Sequence, residues 1–276
     1  MVSKGVASGP QVPARWAVGG AVLRGNSLHY TRDGMEMLFF DVSPNNRVIM
    51  YSFTFSRLTI ILLYVVFATV MWKCITIPCS NFGDGWTLSF LLGTFKQVGA
   101  FVLFGLIPLG LVKFGFRENL ADYGFRLGDR RKTLRSFLFM APVIVGVAIV
   151  TGFNPNFFDV YPFNPALRPH NAHVSPSIFV VNAVLYLGYY FGWEFLFRGF
   201  LQHGLRESCG LANAVLIQTL ASTMLHFGHP SVEVFASIVA GIFWGWLAVQ
   251  TRSLLSGFLQ HALLGIILDA TLMYGR

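Results

Sequence analysis

The sequence predicts an all-α fold, a multi-pass bundle of about seven transmembrane helices. Three observations predict it. Of the 276 residues, 54% are hydrophobic and only 12% are charged, against roughly 25% charged in ordinary soluble domains. Mean hydropathy is +0.60, and Phe alone occurs 28 times. Several apolar runs also approach the ~20 residues that one bilayer crossing needs. A soluble chain of this length would need a wet, charged shell, and this one lacks the residues to make it.

Taken in order, residues 1–50 contain scattered Gly and Arg and show no sustained period. They are expected to form an irregular N-terminal extension ahead of a transmembrane helical domain over 51–276. The run from Leu58 to Trp72 (LTIILLYVVFATVMW) begins the first span. Lys4 is followed by Gly, Ser and Pro rather than an apolar core, so this first span, not a cleaved signal peptide, is expected to direct the chain to the membrane. Further spans are expected near 94–114, 134–152, 177–205, 211–228, 231–250 and 254–274. No internal repeat suggests an inverted-repeat transporter.

Charge gives the orientation. The formal net charge is +8, and the basic residues lie mainly between apolar runs, where they set topology. The tract RLGDRRKTLR (Arg126 to Arg135) reads as a cytoplasmic anchor on anionic headgroups. With no aromatic–basic platform in view, the lipid bilayer and not nucleic acid is the expected partner. Arg32, Arg47, Arg57, Arg117, Arg206 and Arg252 fall on the side of that tract, and the other side offers little beyond Lys73, Lys96 and Arg168. The N-terminus is therefore expected in the cytoplasm and, after seven crossings, the C-terminus outside. The expected location is a bacterial-type plasma membrane. The Pro- and Asn-rich stretch from Asn154 to Pro176 then forms an external loop able to lid a cavity. Cys74, Cys79 and Cys209 have no metal-finger spacing; the first two could pair in an oxidising compartment.

Charge inside the spans points to function, because an ionised side chain in hydrocarbon costs several kcal/mol unless paired or facing a polar cavity. Glu194 and Arg198, in GWEFLFRGFLQHGL, stand at i and i+4 and can neutralise each other on one helix face. Asp269 lies in another predicted span, Glu233 near the start of one, and His226 and His261 near the end of the fifth run and within the seventh. At ~1.5 Å per residue from the cytoplasmic helix ends, His261 lies about 10 Å deep, Glu194 about 16 Å, and His226 and Asp269 about 22 Å. Tilt can close much of that spread. His229 reads as a loop or interface residue, and His203, His170 and His173 read as solvated. Asp269, about 80° around the helix from His261, cannot share its position and could serve a neighbouring helix.

A carboxylate and two imidazoles around water suffice for hydrolysis: the carboxylate takes a proton and the imidazoles orient the nucleophile or stabilise the oxyanion. Two His and one Glu also suit zinc. With no HExxH pair, metal-independent chemistry is favoured and no cofactor is expected.

These residues resemble a known family. WEFLFRGFLQ is similar to the EExxxRG motif of the CAAX protease and bacteriocin-processing (CPBP, or Abi) membrane proteins. LASTMLHFGHP resembles the second motif, which ends in a histidine, here His226. GFLQHALLG resembles the third, here with His261. The resemblance spans about 95–272. It implies an intramembrane endopeptidase that hydrolyses a peptide bond of a membrane-associated or lipidated substrate, with Glu194, Arg198, His226 and His261 as catalytic residues. Two positions depart from the pattern: the first glutamate is Trp193, and the polar residue four after the last histidine is Gly265. The chain is similar to a GWEF-type variant with a carboxylate later in the last helix, as Asp269 is. Glu194, Glu233 and Asp269 all remain candidates for the base. The alternative the departures imply is a catalytically silent member, acting as a membrane scaffold or bacteriocin-immunity protein. Buried Glu, Asp and His would also suit a proton-coupled transporter, a reading that the missing repeats disfavour.

Overall fold

A computed structural model describes residues 26–31, 34–42, 48–76, 85–168 and 175–275. The chain divides into two compact units, Met1–Ser56 and Arg57–Arg276.

In the first unit, β1 (Asn26–Thr31), β2 (Gly34–Val42) and β3 (Val48–Ser56) form an antiparallel sheet in the order β1-β2-β3. Asn26 pairs with Phe39, and Gly34 with Ser56. This corrects the expectation of an irregular extension. The signal was present in β3, where Tyr51, Phe53 and Phe55 alternate with Ser52, Thr54 and Ser56, the period of a strand. Scattered Gly and Arg upstream hid it. Arg32 and Arg47 lie outside the described residues.

The second unit is all-α: α1 (Arg57–Thr76), α2 (Trp86–Gly115), α3 (Arg130–Gly152), α4 (Pro176–Cys209), α5 (Leu211–Met224), α6 (Ser231–Thr251) and α7 (Leu255–Tyr274). All but α5 are long and apolar enough to span a membrane. The chain is an integral, multi-pass membrane protein. Among the described residues the seven long helices coincide with the seven apolar runs, but α5 has only 14 residues. That gives a rise of about 21 Å against a hydrocarbon core of ~30 Å. Phe114, Phe139 and Phe235 project from the bundle, as lipid-facing side chains do. Phe104, Phe195, Phe197 and Phe200 fill its centre.

Charged residues gather at one end of the bundle. Arg57 donates to Glu118 at 2.7 Å and to the Gly204 carbonyl at 3.0 Å. Arg126 Nε donates to the Arg252 carbonyl at 2.8 Å. Asp129 caps α3 by accepting from the Lys132 amide. His203, expected to be solvated, is buried, because the widened α4 turns it inward beside Arg206.

Two features of packing set up the interior. In α4, the backbone widens into π-type turns over Phe195–His203, starting immediately after Glu194; such turns re-aim side chains and recur at functional sites. Between α4, α5 and α6, buried amides replace apolar contacts. Gln202 Nε2 donates to the Gly245 carbonyl at 2.9 Å, and Gln218 Nε2 to the Gly241 carbonyl at 2.8 Å. These bonds require close backbone approach, which the small residues of α6 allow. A Cβ on Gly245 would lie 2.7 Å from Gln202 Oε1 and 2.8 Å from Gln218 Nε2.

Candidate active site

Glu194 sits on the last α-type turn before the widened segment of α4, and its side chain is 1% exposed. Its Oε1 lies 3.3 Å from Arg198 Nη1. The i, i+4 pairing read from the sequence therefore forms. Oε1 also accepts from His261 Nδ1 at 2.9 Å, reaching from α4 to α7. Facing a carboxylate, Nδ1 carries the ring proton, which leaves Nε2 for other partners. The ring is held on both sides: Tyr190 lies 4.5 Å away and Trp244 4.6 Å, centroid to centroid. The Arg198 guanidinium lies 5.8 Å over the Trp244 ring, within reach of a cation–π attraction. Glu194 Oε2 has no hydrogen-bond partner among the described residues.

His226 lies in the turn that follows α5. Its Nδ1 is 2.9 Å from the Ser222 carbonyl. A carbonyl only accepts, so Nδ1 carries the proton and Nε2 presents a lone pair. That Nε2 is 4.0 Å from Glu233 Oε1. Glu233 stands in the first turn of α6, and two further groups fix it. His229 Nδ1 lies 2.8 Å from Oε1, and the Tyr161 hydroxyl donates to the same oxygen at 2.7 Å. Its Oε2 makes no hydrogen bond among the described residues.

A cavity of about 180 Å³ brings these groups together. His226, Glu233, His261, Tyr190, Trp193 and Arg198 line it. A second compartment of about 270 Å³ shares Tyr161, Tyr190, Trp193, His226 and His261 with the first, and adds Lys73, Lys96 and Arg168. Either has room for several waters beside polar groups. Glu194 and Asp269 do not line these spaces. Glu194 is sealed beneath His261, whereas the Glu233 side chain is 16% exposed. Asp269 is buried apart from the imidazoles, with both oxygens lacking hydrogen-bond partners among the described residues.

Residues 172–267 match the family model described as Type II CAAX prenyl endopeptidase Rce1-like. Over that segment, about a third of the chain, the protein is similar to this CAAX endopeptidase family. No curated protein and no solved structure matches the chain. The matched segment takes in Glu194, Arg198, His226, Glu233 and His261 and ends before Asp269. Of the candidates read from the sequence, the fold unites these five around or directly beneath one cavity.

Sequence reasoning missed three neighbours. His229, read as a loop or interface residue, does lie in a turn, and there it is bound to Glu233. Its i, i+4 spacing from Glu233 was the available signal. Tyr161 comes from the loop before α4, 72 residues from Glu233, and nothing local announces it. Trp193, at the position of the family's first glutamate, points its ring between the imidazoles, 5.4 Å from His226 and 6.1 Å from His261. Among the described residues no group of three His, Cys, Asp or Glu side chains is arranged to hold a metal ion. Cys79, His170 and His173 lie outside the described residues.

Proposed function

We propose that this chain is an intramembrane endopeptidase that hydrolyses a peptide bond of a membrane-associated or lipidated substrate, with Glu233 as the base. The observation carrying this reading is that Glu233, His226 and His261 share one cavity while Glu194 lies sealed behind His261. Water held against Glu233 loses a proton to the carboxylate as its oxygen attacks the scissile carbonyl. His226 Nε2, with its lone pair toward Glu233, orients that water. His261 Nε2, which presents a lone pair because Nδ1 donates to Glu194, accepts from the attacking water beside His226. Glu194 fixes the ring's tautomer and orientation, as a buried carboxylate does for an imidazole in hydrolytic triads. Arg198 places its guanidinium beside Glu194 as a counter-charge. Glu233 then returns its proton to the leaving amine as the C–N bond breaks. No step needs a metal.

The expected location is a bacterial-type plasma membrane with the N-terminus in the cytoplasm, supported by the clustering of Arg57, Arg126, Arg206 and Arg252 at one end of the bundle. Fluorescence labelling of single cysteines at either end of the bundle in intact cells tests that orientation.

A second reading, favoured by Trp193 in place of a carboxylate, is a silent member that binds lipidated peptides as a scaffold or immunity protein. Reconstitution with a farnesylated peptide, read by mass spectrometry, separates the two. The protease releases a C-terminal fragment, and Glu233→Gln, His226→Ala and His261→Ala each abolish release while still folding. Binding without any fragment from the wild-type protein would support the second reading.

A further inference from the structure

Tyr190 is the side chain that the site holds most closely and that the mechanism above leaves unused. It stands one turn before Glu194 on α4, so 190, 194 and 198 share a helix face. Its ring packs against His261 at a centroid distance of 4.5 Å, and it lines both compartments of the cavity. Its hydroxyl reaches across to α7 at Gly265. A Cβ built on Gly265 would lie 1.8 Å from the Tyr190 hydroxyl oxygen and 2.6 Å from Cζ. No residue other than glycine fits there while Tyr190 stays where it is. Gly265 is four residues after His261, so the space above it is the helix-surface position adjoining that imidazole. The phenol thus delivers an O–H donor from α4 to a place that a side chain of α7 would otherwise fill. Tyr186, 4.5 Å from Tyr190 between ring centroids, and Tyr189, at 5.2 Å, pack against the ring, and such packing holds the phenol oxygen in place.

We propose that the Tyr190 hydroxyl is a catalytic residue: it donates to the oxyanion formed when water attacks the scissile carbonyl, and the bare backbone of Gly265 makes room for it. This rests on the hydrolytic reading above. In the step concerned, the water oxygen bonds to the carbonyl carbon, the π pair moves onto the carbonyl oxygen, and the water proton passes to Glu233. Tyr190 keeps its own proton and stabilises the new negative charge by a hydrogen bond. A preorganised donor in a water-poor site does this at little reorganisation cost.

The test compares Tyr190→Phe and Gly265→Ala with the wild-type protein in proteoliposomes, using a fluorogenic farnesylated peptide and its phosphonate analogue. Tyr190→Phe removes one oxygen and keeps the ring against His261. It is expected to lower kcat by about 10²-fold or more with KM unchanged, the usual loss for one oxyanion donor. It should also weaken binding of the tetrahedral phosphonate while leaving affinity for the uncleaved peptide intact. Gly265→Ala pushes the ring aside and should reproduce the kcat loss together with a lowered melting temperature, whereas Tyr190→Phe, which only removes an oxygen, should lose kcat without that drop. If Tyr190→Phe keeps wild-type kcat while Glu233→Gln and His261→Ala are inactive, the proposal fails and the hydrolytic reading stands. If the wild-type protein cleaves nothing and binds the phosphonate no better than the peptide, both fail.

Discussion

His261 Nδ1 and Glu194 Oε1 lie 2.9 Å apart across the α4–α7 interface, with Arg198 Nη1 3.3 Å from the same oxygen. One carboxylate therefore pairs with a guanidinium and an imidazole, and in the proposed mechanism it holds rather than reacts. Charge that looks costly in the sequence becomes affordable because every member of the trio is buried among the others.

Glu194→Gln should be inactive and also unstable. It leaves Arg198, 2% exposed, without its counter-ion, and breaking a buried pair from one side costs about 3–5 kcal/mol. Adding Arg198→Met should recover much of that stability without recovering activity. Thermal unfolding in detergent, run beside the cleavage assay, separates the two effects.

Glu233 is aimed by its neighbours. His229→Ala and Tyr161→Phe each remove one hydrogen bond to the Glu233 carboxylate. A bond to a charged group is worth about 1.5–3 kcal/mol, so each variant should lose about 10- to 100-fold in kcat. Glu233→Gln should lose about 10²–10⁴-fold, the usual contribution of a general base. Equal losses in all three would argue that the trio is only structural.

Gly245→Val should weaken the bundle without touching the chemistry. The new side chain runs into Gln202 and Gln218, and overpacking of this kind costs about 1–3 kcal/mol. A lowered melting temperature with normal kcat in the surviving fraction is the expected result.

Chelators should leave turnover unchanged. His261 Nδ1 and His229 Nδ1 are both committed to carboxylates, and the described residues offer no three-donor cluster. Loss of activity in 1,10-phenanthroline, restored by zinc, would overturn that expectation.

Much of this arrangement was legible in the sequence. The seven helices follow from apolar runs, and Glu194, Arg198, His226 and His261 follow from charge placed where charge is costly. The spacing of Glu194 and Arg198 gave their pairing directly, since i and i+4 share a face. The contact of His261 with Glu194 was not legible, because it depends on how α7 is rotated against α4. The choice among Glu194, Glu233 and Asp269 was open for the same reason. Exposure to the cavity separates them, and exposure is a property of packing. Tyr161 reaches Glu233 from a distant loop, and the burial of His203 follows from the widened turns of α4, which no period of 3.6 predicts. In β3 the signal was present but short.

The central claim is that a carboxylate opening onto the cavity activates water for peptide hydrolysis. Mass spectrometry of a farnesylated peptide incubated in H₂¹⁸O with proteoliposomes of the wild-type protein or Glu233→Gln tests it most directly. The account predicts a fragment bearing ¹⁸O at its new C-terminal carboxylate with the wild-type protein, and none with folded Glu233→Gln. Equal amounts of labelled fragment from both proteins, or none from the wild type, would contradict it.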